Sequence, residues 1–212
     1  MMKRKVGLLA GAFAAAAAVF TVAAVTPATA GDHAEHAEVG KAAPDFTLTD
    51  LNGKKHTLST YTNDGKVVVL EWFNPDCPFV VKHHKNNDTM KKTAAKYADK
   101  GVVWLAINSG AEGKQGAGMD RNMSAVSEFD IEYPVMLDMD GKVGRMYGAK
   151  TTPHMYVINT EGVLVYAGAI DNDNSASRLG SVNYVAQALD QVLAGETVTE
   201  ASTRPYGCSV KY

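Results

Sequence analysis

The stretch VVVLEWFNPDCP, residues 67–78, decides the fold. Its four consecutive apolar residues, Val67 to Leu70, predict a strand that is covered on both faces, because a strand with one face in water alternates apolar and polar positions. Pro78 is typical of the first turn of a helix. The stretch therefore predicts a buried strand, a short loop and then a helix, with Cys77 at the point where the helix begins.

Further strands and helices alternate along the rest of the chain. DFTLTD and KKHTLS flank the turn Asn52-Gly53 and predict a β-hairpin, VVWLAIN and YPVMLD predict two more strands, and HMYVIN with VLVYAGAI predicts a closing hairpin. Helices are expected over Phe79 to His84 and Met90 to Tyr97, with an irregularity between them, and over SVNYVAQALDQVLAG. This order predicts an α/β fold, with a central mixed β-sheet and helices on both faces.

The N-terminus has the pattern of a leader. Lys3, Arg4 and Lys5 precede an Ala-rich apolar run that ends in Ala28-Thr29-Ala30, which predicts a signal peptide over residues 1–30. We expect export to the periplasm or secretion, with no membrane contact after cleavage. An uncleaved anchor is the alternative, because the apolar run is long enough to span a bilayer.

The remaining chain predicts one domain. Residues 31–43 are small, charged and without periodicity, and they indicate a flexible lead-in. Residues 44–195 contain all the predicted strands and helices, and residues 196–212 form a C-terminal tail that carries Cys208. Export would place both cysteines of the chain in a compartment where disulfides persist.

The charge of the chain and the spacing of one loop argue against nucleic-acid and nucleotide ligands. The formal net charge is −2 and no basic patch stands out, which argues against a nucleic-acid partner. The loop SGAEGKQGAG contains a Gly-Lys pair, but the glycine and the Ser/Thr that a phosphate-binding loop needs are absent. We expect no cofactor.

Cys77 is the strongest candidate for chemistry. At the start of a helix, free backbone N–H groups and the helix dipole favour an anion, so the thiolate is the expected nucleophile. Asp76 opposes this with a nearby negative charge. The alternative is that Cys77 is an inert buried apolar residue.

Three pieces of the chain resemble a known family. VVVLEWFNPDCP, LDMDGKVGRMYGAKTTPHMYVIN and EGVLVYAGAI are similar in order and spacing to the thioredoxin-like superfamily. The resemblance is closest to its redoxin branch, the peroxiredoxin-like or alkyl hydroperoxide reductase/thiol-specific antioxidant group. It implies a thioredoxin-like fold over residues 44–195. It also implies a thiol-dependent oxidoreductase that acts on a small-molecule peroxide or a protein disulfide.

The chain departs from both motifs of these families. The Cys-x-x-Cys motif of thioredoxins would place a second cysteine at position 80, which is Val80. The Pro-x-x-x-Thr-x-x-Cys motif of peroxiredoxins matches only at Cys77, because Leu70 and Asn74 replace its proline and threonine. The resolving thiol must therefore lie outside the motif.

The resemblance also implies roles for Glu71, Thr152 and Pro153. Glu71 matches a buried acid that exchanges a proton with the active cysteine, and burial is expected to raise its pKa. A Glu that reaches solvent is the equal alternative. Pro153 matches a cis-proline that faces the active cysteine, and the backbone of Thr152 is expected to pair with an extended substrate.

Histidines near Cys77 suggest a different function. Cys77 with His83, His84 and His154 is a weak alternative metal site, and copper-delivery proteins of the same superfamily use two cysteines and a histidine. We expect no metal, because His83 and His84 are interpreted as part of a solvated helix face. The rival function is a copper-binding protein.

Cys208 is the remaining thiol. Some two-cysteine peroxiredoxins resolve their oxidised cysteine with one in a C-terminal segment, and this resemblance implies that Cys208 resolves Cys77. An external thiol would then reduce the disulfide. A permanent structural disulfide and a bridge between two chains are the alternatives.

Overall fold

The computed structural model describes residues 1–2 and 36–212. The strands are β1 (Thr47–Thr49), β2 (Lys55–Thr57), β3 (Val67–Trp72), β4 (Val102–Asn108), β5 (Val135–Leu137), β6 (Thr151–Thr152), β7 (Met155–Ile158), β8 (Leu164–Gly168) and β9 (Cys208–Ser209). The α-helices are α1 (Leu58–Asn63), α2 (Pro78–Val81), α3 (Thr89–Ala98), α4 (Met119–Phe129), α5 (Lys142–Met146) and α6 (Tyr184–Leu193). A π-helical turn, Lys82–Asn86, connects α2 to α3.

Five of the strands form one mixed sheet in the order β5-β4-β3-β7-β8. β3 and β4 are parallel, as are β4 and β5, whereas β7 is antiparallel to both β3 and β8. β1 and β2 form the hairpin that the sequence predicts. The predicted α/β fold with a mixed central sheet is confirmed.

The central strand β3 is buried on both faces, as its apolar run predicts. Val68, Leu70 and Trp72 pack into one apolar core, and Val67 and Val69 pack into the other. All six residues of β3 are buried. Because successive side chains of a strand point to opposite faces, this strand needs a protein layer on each side.

The helical segment after Cys77 is divided where the sequence predicts an irregularity. α2 has only four residues, the π-helical turn follows, and Asp88 adopts a left-handed conformation with φ 54° before α3 begins. Helix α1 and the small two-stranded sheet of β6 and β9 are elements that sequence patterns did not predict.

The segment before the domain is held in place from Ala37 onward. The backbone N–H groups of Ala37, Gly40 and Ala43 donate to carbonyl oxygens of Met146, Leu164 and Gly162. The flexible lead-in expected for residues 31–43 therefore differs from the structure over its second half, because backbone hydrogen bonds fix it to the domain. Residues 31–35 lie outside the described residues.

The signal peptide expected for residues 1–30 also lies outside the described residues, apart from Met1 and Met2. Within the described part of the chain, no helix has the length and apolar character to cross a membrane.

The C-terminal tail lies along the domain in extended conformation. It runs beside β8, where Ala167 exchanges backbone hydrogen bonds with Ala201 and Thr203. It then forms β9, after which the N–H of Val210 donates to Lys150 and the hydroxyl of Tyr212 donates to the carbonyl of Ala149. The tail has no helical period, as expected, yet backbone pairing holds it along its length.

Removing volume from the centre of β3 should destabilise the protein. Leu70 is fully buried, and we expect Leu70→Ala to lower the free energy of unfolding by about 2–5 kcal/mol, since it leaves a cavity. Leu179→Ala is the matched control: Leu179 is 44% exposed, and its loss should cost less than about 0.5 kcal/mol. Urea unfolding followed by tryptophan fluorescence measures both. Equal effects would contradict the assigned burial.

Candidate thiol site

Cys77 lies at the boundary between β3 and α2. It is the N-cap residue of α2, and its backbone N–H donates to the carbonyl of Asn74 in the preceding loop. The side chain is only 1% exposed. Its thiol donates a hydrogen bond to the backbone carbonyl oxygen of Thr152, with a sulfur–oxygen distance of 3.0 Å. The loop of Thr152 and Pro153 therefore faces the cysteine directly.

The peptide bond between Thr152 and Pro153 is cis, as the resemblance implies. Thr152 belongs to β6, which pairs antiparallel with β9 so that Thr152 lies opposite Cys208. Gly207, just before β9, has a φ of 136°, and a Cβ there would overlap the carbonyl oxygen of Thr152. Glycine is therefore required for β9 to approach this loop.

This pairing brings the two cysteines together. Cys208 packs against the apolar cluster that contains Cys77, Phe73 and Val80, close enough for Cys77 to influence its titration. Both cysteines are free thiols in the structure. Burial raises the pKa of Cys208 to about 12, and the hydrogen bond and charge of Cys77 add to this effect. In the reduced pair, Cys208 is therefore protonated at neutral pH.

Glu71 is fully buried and holds three hydrogen bonds, none of them to Cys77. Its carboxylate accepts from His84 Nε2 at 2.6 Å, Trp104 Nε1 at 2.9 Å and the Tyr133 hydroxyl at 3.1 Å. Burial by itself raises the pKa of Glu71, but the charge and hydrogen bond of His84, with the two other donors, lower it overall. The raised pKa that burial predicts for Glu71 is therefore wrong. The three hydrogen-bond donors outweigh desolvation, and no sequence pattern indicated them.

The solvated helix face expected for His83 and His84 is also wrong. Lys82, His83 and His84 are all buried in the π-helical turn. His84 points to Glu71, and its ring packs edge-on against Phe73 at a centroid distance of 5.2 Å. Of the carboxylates beside these histidines, Asp171 comes from a distant part of the chain and Glu71 from the preceding strand, so the local pattern around the histidines did not predict their burial.

Lys82 and His83 connect the helix after Cys77 to the tail before Cys208. Lys82 Nζ donates to the carbonyl oxygens of Asp173 at 2.7 Å and Ser175 at 3.1 Å, and it lies 5.1 Å from the ring centre of Tyr206. His83 Nε2 is 2.9 Å from the Tyr206 hydroxyl, which donates to Asp171. We call Lys82, His83, Asp171 and Tyr206 the tail anchor. Sequence reasoning assigned no function to Asp171 or Tyr206.

Burial sets the direction of the pKa shifts of Lys82 and His83 in the tail anchor. Desolvation lowers the pKa of His83 to about 4, despite the opposing charge of Asp171. Burial also lowers the pKa of Lys82, against the charges of Asp171 and Asp173. His83 is therefore neutral at physiological pH, and it donates to Tyr206 from Nε2.

The alternative metal set does not converge on one point. His84 is bound to Glu71, His83 to Tyr206, and His154 Nδ1 lies 3.0 Å from the Tyr156 hydroxyl. Burial lowers the pKa of His154 to about 4. Among the residues that the structure describes, no three His, Cys, Asp or Glu side chains are arranged to hold a metal ion.

A buried cysteine that faces a cis-proline loop, at the end of a central strand in a mixed sheet, defines a thioredoxin-like thiol protein. More specifically, the chain belongs to the Redoxin family, whose model matches residues 38–184. The expected family and the expected class of oxidoreductase are confirmed at this level, because the relatives of this chain include thiol-disulfide oxidoreductases.

One relative is the thiol-disulfide oxidoreductase ResA of Bacillus thuringiensis subsp. konkukian. It is 30% identical over 135 residues, which cover 62% of this chain and 69% of ResA. A hypothetical protein from Sinorhizobium meliloti has a similar structure, with a TM-score of 0.72, 28% identity, and coverage of 82% of this chain and 94% of the other. An uncharacterized conserved protein from Geobacillus kaustophilus gives a TM-score of 0.74 and 27% identity, with 82% and 92% covered.

The lowered pKa of Glu71 predicts a loss of stability in acid. The folded protein keeps this carboxylate ionised below the ordinary value of 4.5, so its contribution is present above pH 4.5 and is lost as the pH falls through the folded pKa. Glu71→Gln should cost about 3–5 kcal/mol near neutral pH, because it removes one partner of a buried pair.

The difference between wild type and Glu71→Gln should then shrink as the pH falls below 4.5. Urea unfolding across the acid range measures it. Glu161→Gln is the control, since Glu161 is exposed and its substitution should change stability by less than about 0.5 kcal/mol at each pH. A difference between wild type and Glu71→Gln that does not vary with pH would contradict the lowered pKa.

Proposed function

We propose that this protein is a thiol-disulfide oxidoreductase in which Cys77 and Cys208 form the redox pair. The observation that carries the proposal is the pairing of β6 with β9. Thr152 accepts the hydrogen bond from Cys77 and lies opposite Cys208 in the strand pair. This arrangement supplies the second thiol that is missing at Val80.

The reaction with a disulfide has two steps. The Cys77 thiolate attacks one sulfur of the substrate, so a mixed disulfide forms and the other substrate thiolate leaves. Cys208 then loses its proton and attacks the sulfur of Cys77, which releases the second substrate thiolate and forms the Cys77–Cys208 disulfide. Two electrons pass from the protein to the substrate. An external thiol reductant returns the pair to the reduced state.

A peroxide substrate uses the same pair. The Cys77 thiolate attacks a peroxide oxygen, which gives a sulfenic acid and an alcohol or water. The Cys208 thiol then condenses with the sulfenic acid and releases water. The contributions of Cys77 to the high pKa of Cys208 belong to the reduced pair. Once Cys77 is oxidised, these contributions no longer act on Cys208, so Cys208 ionises more readily at the step where it must attack.

The roles of three further residues are part of the proposal. The Thr152-Pro153 loop holds the Cys77 thiol through the carbonyl oxygen of Thr152. Glu71 acts as a proton-exchanging group for this end of the sheet. Its hydrogen-bond partner His84 packs against Phe73, in the apolar cluster that also contains Cys77, so Glu71 lies in the same region as the thiol without a direct hydrogen bond to it.

Thiol trapping tests the redox pair. Wild type, Cys77→Ser and Cys208→Ser are treated with hydrogen peroxide or a small disulfide, blocked with an alkylating reagent and mapped by mass spectrometry. Wild type should form an intramolecular Cys77–Cys208 disulfide that depends on the oxidant. Cys208→Ser should accumulate a sulfenic acid or mixed disulfide on Cys77, since its resolving thiol is absent.

Three results would contradict the proposal. Cys208 that oxidises faster than Cys77 would reverse their roles. A disulfide between two chains would show that the tail of one molecule serves another. A disulfide that resists glutathione and thioredoxin-like reductants would indicate a permanent structural link.

The proposal includes a location outside the cytoplasm, either the periplasm or the surrounding medium. The leader pattern of residues 1–30 supports it. Expression of the full chain in a bacterial host, followed by N-terminal sequencing of the periplasmic fraction, should give a protein that begins at Gly31. Retention of the full-length chain in the membrane fraction would instead support an anchor.

A further inference from the structure

We propose that β9 acts as a built-in substrate strand. It occupies the strand edge beside Cys77 with which an extended polypeptide would otherwise pair. It also presents Cys208 as the sulfur that the thiols of external polypeptides attack. This inference rests on the proposed Cys77–Cys208 redox pair. In this scheme, small oxidants react at Cys77, and polypeptides that carry a thiol react at Cys208.

The pairing edge next to Cys77 is already filled. Thr151 lies opposite Ser209, and Thr152 lies opposite Cys208, so the short edge strand β6 is used by the chain itself. A polypeptide that adds to a sheet needs unpaired backbone groups at an edge. An external strand therefore pairs with Thr152 only after β9 has left.

Contacts on both sides of β9 keep it there. Before β9, Tyr206 is held by Lys82, His83 and Asp171 of the tail anchor. After β9, Val210 and Lys211 form backbone hydrogen bonds with Lys150 and Ala111. At the end of the chain, the Tyr212 ring lies 4.6 Å from the Arg145 guanidinium, and its hydroxyl donates to Ala149.

Access differs between the two sulfurs. Cys77 is 1% exposed and lies among buried apolar side chains, whereas Cys208 is only partly buried. A nucleophile on a polypeptide must bring its sulfur into line with the disulfide, and the rate of exchange depends on which sulfur it can reach. The partly exposed Cys208 is the accessible sulfur.

The chemistry of the leaving group favours the same sulfur. Attack on Cys77 would expel Cys208 as a thiolate, at a position where burial, the largest cause of its shift, raises the pKa of Cys208. A thiol with a high pKa leaves slowly. Attack on Cys208 makes Cys77 the leaving group in the step that opens the protein disulfide, and Cys208 is released only in the second step, with the proton of the incoming polypeptide thiol.

The exchange with polypeptide thiols has two steps. A deprotonated polypeptide thiol attacks Sγ of Cys208, so that a polypeptide–Cys208 disulfide forms as the Cys77–Cys208 bond breaks. The electron pair leaves on Sγ of Cys77, which takes up a proton. A second polypeptide thiol then attacks the polypeptide sulfur of the mixed disulfide and releases Cys208 as a thiol. One protein disulfide is reduced and two polypeptide thiols become a disulfide.

Mapping the mixed disulfide tests this inference on the wild-type protein. The protein is oxidised, its Cys77–Cys208 disulfide is confirmed by mass spectrometry, and a short unstructured peptide with one central cysteine is added. Acid stops the reaction early, and peptide mapping locates the mixed disulfide. We expect at least about tenfold more peptide on Cys208 than on Cys77, because exchange follows access to the sulfur.

A variant with a weakened tail provides the second measurement. Tyr212→Ala removes contacts beyond β9, so the fraction of peptide on Cys77 should rise by about threefold or more as the tail opens locally. Tyr61→Ala is the matched control, because Tyr61 is also half-buried and hydrogen-bonded, but to His56 and not to the tail. The control should keep the wild-type distribution.

Each outcome has a distinct meaning. Peptide found mainly on Cys77 of wild type, or a distribution that Tyr212→Ala leaves unchanged, would overturn the built-in substrate strand and leave the redox pair intact. Absence of the disulfide in the oxidised wild type, before any peptide is added, would overturn the proposed function and this inference with it.

Discussion

The backbone of Thr152 is the constraint on which the thiol site depends. Its carbonyl oxygen accepts the hydrogen bond from Cys77, and the strand to which it belongs pairs with the strand of Cys208. Two cysteines that are far apart in the chain thus meet at one residue. Gly207, which has no Cβ to overlap the carbonyl oxygen of Thr152, and the docking of the tail both allow this arrangement.

The tail anchor explains how a segment without a helix or a long apolar run stays in place. The tail contributes few large apolar residues, so polar contacts must position it. Lys82 is completely buried, and an ammonium group is costly to bury unless it is paired and hydrogen-bonded. Its donors reach two backbone carbonyl oxygens and the Tyr206 hydroxyl, with Asp171 nearby. This arrangement links the helix that follows Cys77 to the strand that carries Cys208.

Features with a local cause could be predicted from the sequence. The apolar run of β3, the proline after Cys77 and the turn at Asn52-Gly53 each fix local structure through nearest neighbours, and the structure shows the strand, the helix and the hairpin where they were expected. Resemblance identified the proline that adopts the cis conformation.

Features with a distant cause could not be predicted. Burial of His83 and His84 depends on Asp171 and Glu71, and the direction of the Glu71 pKa shift depends on donors from three other segments. β6 and β9 have only two residues each, too short for any periodic pattern. Resemblance to two-cysteine peroxiredoxins, together with the absence of a third cysteine, indicated Cys208 as a partner for Cys77, but the strand pair that brings them together is visible only in the structure.

In the proposed redox pair the resolving thiol lies on a separate strand, which would couple the redox state to the position of the tail. In a Cys-x-x-Cys motif, both sulfurs belong to one turn of one helix, so forming the disulfide hardly restricts the rest of the chain. Here the disulfide would close a loop over most of the domain, which in the chain-entropy model stabilises the folded state by on the order of 4–5 kcal/mol. The partial exposure of Cys208 then matters most. The proposed disulfide would resist spontaneous opening because it closes so long a loop, and it would remain usable for exchange because Cys208 is only partly buried.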